Sequence, residues 1–491
     1  MSGDVYGVEG ADAVGAGWDG EADVVVAGCG VAGLCAAIEA RTTGADVLVL
    51  ERASGGGGIT LSAAGHVYLG GGTRVQKAVG VEDTVEDMEA YLLAVTPDPD
   101  PAKVRLYCEQ STAHFDWLVA QGVPFNDTMY RGKHVLQPTD ECLIGSGNEE
   151  VWPYREQARP APRGHKVAQV GEQGGAKLIA CLTKRAEELG VRIVCDAAVQ
   201  ALVRDGRGRI VGVRYRSFDE SRRLRAHRGV VLATGHFTAN VEMLERYCPQ
   251  LADERVYKQT TPYDDGAGIQ LGLAAGGVAL HMDGALVTCP YYPPESLIKG
   301  VLVNRNGERY VAEDSYHSRA SILTAAQPDG IAYLVVDDGI FGRPEFGGYD
   351  VIDAWEDFAS MERDLALPEG SLQETLRRYN EGAARGEDPD FHKGAKWLEV
   401  LDRPPFAALQ ASLGKNPYVG FTLGGLRVSI DGEVLREGGD AIPGLYAAGA
   451  CASNIAQDGT GYSSGTCIGE SSFFGRRAGR HAAGASGAGS A

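Results

Sequence analysis

The first fifty residues alternate between unbroken apolar runs and a helical stripe. Asp23 to Ala27 (DVVVA) is continuously apolar, LCAAIEARTTG spaces its apolar residues at helical intervals, and ADVLVLE is a second apolar run ending at Glu51. Short apolar runs bounded by turn residues read as strands buried on both faces. The predicted order is strand, turn, helix, strand, and the turn is Gly28-Cys29-Gly30-Val31-Ala32-Gly33.

Further along, VEDTVEDMEAYLLAV and PAKVRLYCEQSTAHFDWLVAQG carry helical periodicity, the second with Pro101 in its first turn and Gly122 past its end. QGGAKLIACLTKRAEELG is another amphipathic helix, stopped by Gly190. From Val191 to Gly235 short strands separated by turn signals predict a β-meander that returns to a buried strand. Residues 284–415 are richer in proline and aromatics, and the glycine and strand rhythm resumes from Tyr418, with a last helix after Ser464. The expected class is α/β: a Rossmann-like nucleotide-binding domain split over 20–283 and 416–485, with an inserted α+β substrate or capping domain at 284–415. Residues 1–19 and 481–491 are small and polar and are expected to be mobile.

Composition narrows the function. Of 491 residues, 44% are hydrophobic and 23% charged, which fits a folded globular chain, and 68 glycines are about twice the usual ~7%. A net charge of −20 with no basic block argues against nucleic acid or an anionic membrane surface as partner. The acidic start has no apolar leader and no stretch reaches the ~18 apolar residues of a membrane span, so a cytoplasmic location is expected. The ten cysteines lack C-x-x-C or zinc spacing and read as buried thiols, the histidines form no i, i+4 ligand pair and read as packing residues, and no metal is expected.

Gly28-x-Gly30-x-x-Gly33 sits between a strand and a helix, and Glu51 closes the next strand 18 residues past Gly33. This context predicts a dinucleotide: the glycines permit the turn and close approach to a pyrophosphate, the helix N-terminus attracts the phosphates, and the acid takes ribose hydroxyls. FAD is favoured over NAD by two further elements. Gly57-Gly58-Ile59-Thr60-Leu61-Ser62-Ala63-Ala64-Gly65 can run past a diphosphate and ring system, and Ile442 to Gly449 is a buried strand ending in small residues suited to a ribityl chain.

Together with Ala233-Thr234-Gly235, Asp265-Gly266-x-Gly268-Ile269 and the stretch ending at Gly449, these residues resemble the FAD-dependent succinate dehydrogenase and fumarate reductase flavoprotein family from Trp18 to Gly479. The resemblance implies further cofactor contacts from Val31, Ala32, Arg52, Val199, Ser464, Gly465, Thr466, Cys467 and Ile468. Ala450 also falls at the cofactor, where the family often carries an acid. Carboxylate reductases of the family place an arginine acid before a strand like Val303-Asn304-Arg305-Asn306-Gly307-Glu308-Arg309-Tyr310. Here that register holds Ser296, and Tyr418 to Thr422 replace the substrate-clamping histidines. With Tyr291, Tyr292, Pro293, Pro294 and Phe421 in place of charges, an apolar substrate is expected.

Asp458-Gly459-Thr460-Gly461-Tyr462-Ser463-Ser464-Gly465-Thr466 is similar to the 3-ketosteroid dehydrogenases, most of all those of the Δ4-(5α) type. The resemblance implies desaturation of a steroid or similar fused-ring ketone, with a proton removed beside the ketone, a hydride passed from the next carbon to FAD N5, and an unidentified external electron acceptor. Tyr462 is then the donor to the ketone, and Ser464 with Tyr316 the proton-abstracting pair. The bland alternatives are a packing role for either tyrosine and a helix cap for Ser464. Two other functions stay open: an enone or unsaturated-acid reductase, and a flavin-binding protein without turnover.

Overall fold

The computed structural model describes residues 6–11, 17–135 and 137–484. Among the described residues nine strands form the main sheet. Strand β1 (Gly7–Gly10) lies at one edge, followed by Ala197–Arg204, Ile210–Ser217 and Glu220–Leu232, then β2 (Gly20–Ala27), β3 (Val47–Leu50) and Arg192–Val194. Val24, Val25 and Val26 are fully buried, because β2 is covered on both faces and flanked by parallel β3 and the long strand Glu220–Leu232. Helix α1 (Val31–Thr42) makes the crossover from β2 to β3.

The glycine turn is sterically obligatory at two positions. Gly28 has φ +104°, and a Cβ there would fall 2.2 Å from the Ala233 carbonyl oxygen; a Cβ on Gly33 would fall 2.0 Å from the Gly28 carbonyl oxygen. Strand Ala441–Ala447 pairs with the end of the long strand, Val230 opposite Leu445, so the stretch before Gly449 enters the same sheet as the glycine turn.

Four expectations need correction. Tyr6 to Gly10 do not behave as a loose end: β1 pairs parallel with the strand Ala197–Arg204, Gly7 opposite Ala201. Within that stretch residues 1–5 and 12–16 lie outside the described set, as do 485–491. His481 to Gly484 continue the final helix, Thr466–Gly484, and Arg228 donates to the Ala483 carbonyl at 2.6 Å. Arg192–Val194 is not part of the meander. Asp196, with φ +53°, turns the chain after it, so that strand pairs with β3 while the next one begins the meander. The single helix expected at 101–122 is two, Pro101–Glu109 and Ser111–Ala120, meeting at Gln110, where the Ser111 hydroxyl accepts the Gly70 N–H at 2.8 Å.

Two smaller sheets lie beyond the main one, and the first of them faces the glycine turn across the cavity. Ala285–Thr288 runs antiparallel to Tyr418–Thr422. Val301–Asn304, Ala332–Asp337, Phe406–Gln410 and Val351–Trp355 form a four-stranded antiparallel sheet. Beside it a buried ion cluster joins Arg309 to Glu313 at 2.9 Å and to Asp388 at 2.8 Å, with Lys393 3.1 Å from Glu313. The final helix packs along α1 through two glycines: a Cβ on Gly475 would meet the Ala32 carbonyl oxygen at 2.4 Å, and one on Gly479 the Ala36 carbonyl oxygen at 2.1 Å. Arg476 and Arg480 both hold Glu39 of α1.

Candidate active site

A cavity of about 700 Å³ lies where the C-terminal ends of β2, β3 and the long strand meet the sheet of Ala285–Thr288 and Tyr418–Thr422. This is toward the large end of the ~300–1,000 Å³ usual for small-molecule sites. Helix α1 points its first turn into the cavity with no side-chain cap and no acidic residue there, so its N–H groups remain available to an anion. Glu51 is anchored rather than free. Its Oε2 accepts the Cys29 N–H and its Oε1 the Ala53 N–H, both at 2.8 Å, and the carboxylate borders the cavity.

Gly28, Gly30, Val31, Ala32, Glu51, Arg52, Gly57, Gly58, Ile59, Thr60, Ser62, Ala64, Gly65, Val199, Ala233, Thr234, Gly235, Gly449, Ala450, Ser464, Gly465, Cys467 and Ile468 are all brought to this one cavity. Three residues expected at the cofactor stand behind its wall. Gly33 lets α1 approach the turn; Asp265 accepts from Arg52 at 2.5 Å; Thr466 opens the final helix, its hydroxyl donating to the Ser463 carbonyl at 2.9 Å.

At the other end, Tyr316 Oη and Ser464 Oγ are 2.5 Å apart, although 148 residues separate them. Tyr462 stands beside them, its ring centroid 6.4 Å from that of Tyr316. The three are held from behind by the segment 146–148. The Ser464 N–H donates to the Ser146 carbonyl at 2.7 Å, the Asn148 Oδ1 accepts the Tyr316 N–H at 2.9 Å, and the Tyr91 hydroxyl receives the Asn148 N–H at 2.8 Å and bonds the Ser463 hydroxyl at 2.9 Å. Gly465, with φ +97°, passes so close to His66 and Tyr68 that a Cβ would fall 2.8 Å from the Tyr68 nitrogen.

Burial raises the phenols of both Tyr462 and Tyr316 above their ordinary value; for Tyr316 the Ser464 hydrogen bond opposes this only in part. Both are therefore neutral donors at physiological pH. Burial lowers His317 to about 3, and it also lowers His236. These two imidazoles are neutral; both residues line the cavity, and the Nε2 of each is buried with no hydrogen-bond partner among the described residues. Burial raises Glu470 to about 7 against the pull of the Ile455 and Ala456 N–H groups, which its Oε2 accepts at 2.7 and 2.9 Å.

The walls at the tyrosine end are Leu286, Thr288, Pro290, Phe421 and Leu423. Of the apolar residues expected here, Phe421 faces the cavity. Tyr291, Tyr292, Pro293 and Pro294 do not: Tyr291 and Tyr292 pack edge to face in the layer behind, and the Tyr291 hydroxyl donates to the Glu313 carbonyl. Ser296 is also off the wall. Among the described residues the only guanidinium on the wall is that of Arg52, at the Glu51 end. Sequence reasoning missed Tyr6, His236, His317, Glu470 and Ser471, all of which line the cavity. Their neighbours carry signals, since His236 directly follows Ala233-Thr234-Gly235 and His317 follows Tyr316.

The open helix end, the anchored acid and the glycine-lined floor fit a dinucleotide with an extended ring system. The FAD binding domain family matches residues 23–467, and the chain belongs to it. The protein is accordingly an FAD-dependent oxidoreductase acting on CH–CH groups, related to both 3-ketosteroid dehydrogenases and fumarate reductases. It is 32% identical to 3-oxo-5-alpha-steroid 4-dehydrogenase of Comamonas testosteroni, across 91% of this chain and 95% of that one. The crystal structure of 3-ketosteroid-Δ4-(5α)-dehydrogenase from Rhodococcus jostii RHA1 in complex with 4-androstene-3,17-dione superposes with a TM-score of 0.92 at 41% identity, covering 98% of this chain and 100% of that chain. Urocanate reductase of Eggerthella lenta is 28% identical over 94% of this chain and 75% of its own length. Among the described residues no helix is long and apolar enough to cross a membrane.

Proposed function

We propose that the protein desaturates a 3-ketosteroid between C4 and C5, taking a proton from C4 and a hydride from C5. The observation that carries this reading is the Tyr316–Ser464 hydrogen bond beside Tyr462, set in an apolar chamber whose wall at that end bears no arginine. The steroid ketone bound to the structural relative supports the substrate class.

When bound, FAD supplies the two-electron acceptor for the hydride. The chain supplies the rest. Tyr462, kept neutral by burial, donates a hydrogen bond to the C3 ketone oxygen and stabilises the charge that develops there without placing an ion in the chamber. That polarisation acidifies the C4–H. Ser464 Oγ takes the C4 proton while passing its own to Tyr316 Oη, and Tyr316 in turn releases its phenolic proton to water at the cavity, so both hydroxyls are neutral before and after the relay and the proton ends in solvent. Residues 57–65 with Ser464, Gly465, Cys467 and Ile468 would hold FAD, and the apolar residues around Phe421 and Leu286 would exclude water from the ring system.

Anaerobic mixing with a 5α-3-ketosteroid tests the proposal: the flavin band should bleach as the enone forms. The second reading, an enone or unsaturated-acid reductase, draws on the urocanate reductase relative. It predicts instead no bleaching by the saturated ketone, and reoxidation of chemically reduced enzyme by an enone.

A further inference from the structure

The matched family begins at residue 23, yet Tyr6 lies on the cofactor cavity. Its hydroxyl donates to Asp265 Oδ2 at 2.8 Å, and Arg52 Nη1 reaches the same oxygen at 2.5 Å and the Tyr6 hydroxyl at 3.3 Å. The Arg52 guanidinium also lies over the Tyr263 ring, 5.5 Å from its centroid. Tyr6, Arg52 and Tyr263 share this stretch of wall with Glu51, Ala197 and Val199.

Position identifies which half of the cofactor they meet. In a bound FAD, Glu51 would take ribose hydroxyls, the pyrophosphate would meet the N-terminus of α1, and Tyr462 with Ser464 would mark the ring end. What lies beyond Glu51 is therefore the adenosine. Tyr6 immediately precedes β1, and β1 is anchored by contacts of its own. β1 pairs with Ala197–Arg204 over four residues, and Glu9 accepts from Arg214 at 2.6 Å and Arg223 at 3.4 Å. A short edge strand of this kind opens locally at much lower free energy than the sheet behind it.

We infer that residues 6–10 form a latch over the adenosine half of FAD, with Tyr6 and Arg52 joined through Asp265 as its catch. Adenosine leaves when the catch opens, so the latch sets how firmly and how long the protein keeps its cofactor. Tyr6 is in this sense a cofactor-binding residue supplied from outside the matched family domain.

The test is reconstitution of the apoprotein with FAD and, separately, with FMN, which has no adenosine. Binding is followed by quenching of flavin fluorescence, and the melting temperature of each apoprotein is recorded. Tyr6→Ala should weaken FAD about tenfold and speed its release by a similar factor, the scale of one lost aromatic or hydrogen-bonded contact to a base, with FMN affinity unchanged. Glu9→Gln, which loosens the strand without touching the pocket, should shift FAD in the same direction by less. The inference is overturned if Tyr6→Ala leaves FAD affinity and release unaltered. It is equally overturned if FAD and FMN weaken together, because that pattern belongs to a general loosening of the sheet.

Discussion

Asn148 receives the backbone N–H of Tyr316 on its side-chain oxygen at 2.9 Å and gives its own N–H to Tyr91, so one buried amide ties together the supports of the Tyr316–Ser464 pair. Its side-chain nitrogen also reaches the Thr460 carbonyl at 3.4 Å, two residues ahead of Tyr462. Asn148→Ala should therefore misplace hydroxyls it does not itself touch. We expect kcat to fall by about tenfold to a hundredfold, with KM and bound FAD little altered, because misplacement by about 1 Å is enough for a loss of that order. Steady-state kinetics beside the flavin-to-protein absorbance ratio decides it.

Tyr462→Phe keeps the ring and removes the donor. Loss of one donor to developing oxyanion charge costs about 10²–10³ in turnover, and FAD content should stay at the wild-type level. Equal loss of turnover and FAD would mean that Tyr462 only packs.

Ser464→Ala and Tyr316→Phe each break the same 2.5 Å hydrogen bond. If the two hydroxyls act as one proton path, the double variant should be scarcely slower than the worse single variant, since groups working as a unit are strongly non-additive. Multiplication of the two effects would separate their roles. Single-turnover flavin bleaching is the appropriate readout, because it isolates the chemical step.

Glu470 predicts a pH effect with a defined sign. Burial holds it at about 7 in the folded protein against an ordinary 4.5, so the folded state binds more protons than the unfolded state between those values. Its contribution favours folding below about pH 4.5 and is lost as pH rises through 7, by up to about 1.4 kcal/mol per unit. The melting temperature of Glu470→Gln should thus gain on the wild type between pH 5 and 8. A difference constant across that range would refute the assignment.

The cluster of Arg309, Glu313, Asp388 and Lys393 is buried, so removing one member strands the others. Arg309→Met should destabilise the protein by about 3–5 kcal/mol, seen as a lower denaturation midpoint, while FAD contacts at the distant glycine turn persist.

The sequence showed the nucleotide fold clearly where backbone geometry restricts the choice of residue. Gly28 and Gly33 admit no side chain, and the buried run of β2 can lie only inside a sheet. It showed the chemistry less directly. Tyr316 and Ser464 share no periodicity, and only family resemblance joined them before the fold did. Tyr291 and Tyr292 were expected on the chamber wall because apolar pattern reports burial, not which buried face borders empty space. Tyr6 was lost for the opposite reason: the strand that follows it is short, polar and glycine-bounded, and the order of that strand comes from pairing with Ala197–Arg204 rather than from anything local. Glu470 carries no spacing signal, and His236 is marked only by directly following Ala233-Thr234-Gly235.

The glycine contacts between α1 and the final helix set a ruler. One helix would present its open end to the pyrophosphate and the other begins at Thr466, directly after Ser464 and Gly465, so the separation between the two helix starts is set by how closely Gly475 and Gly479 let the backbones approach. An added methyl at either position would lengthen that ruler from a point remote from both the reacting carbon and the phosphates, making the enzyme's calibration a property of its least decorated residues.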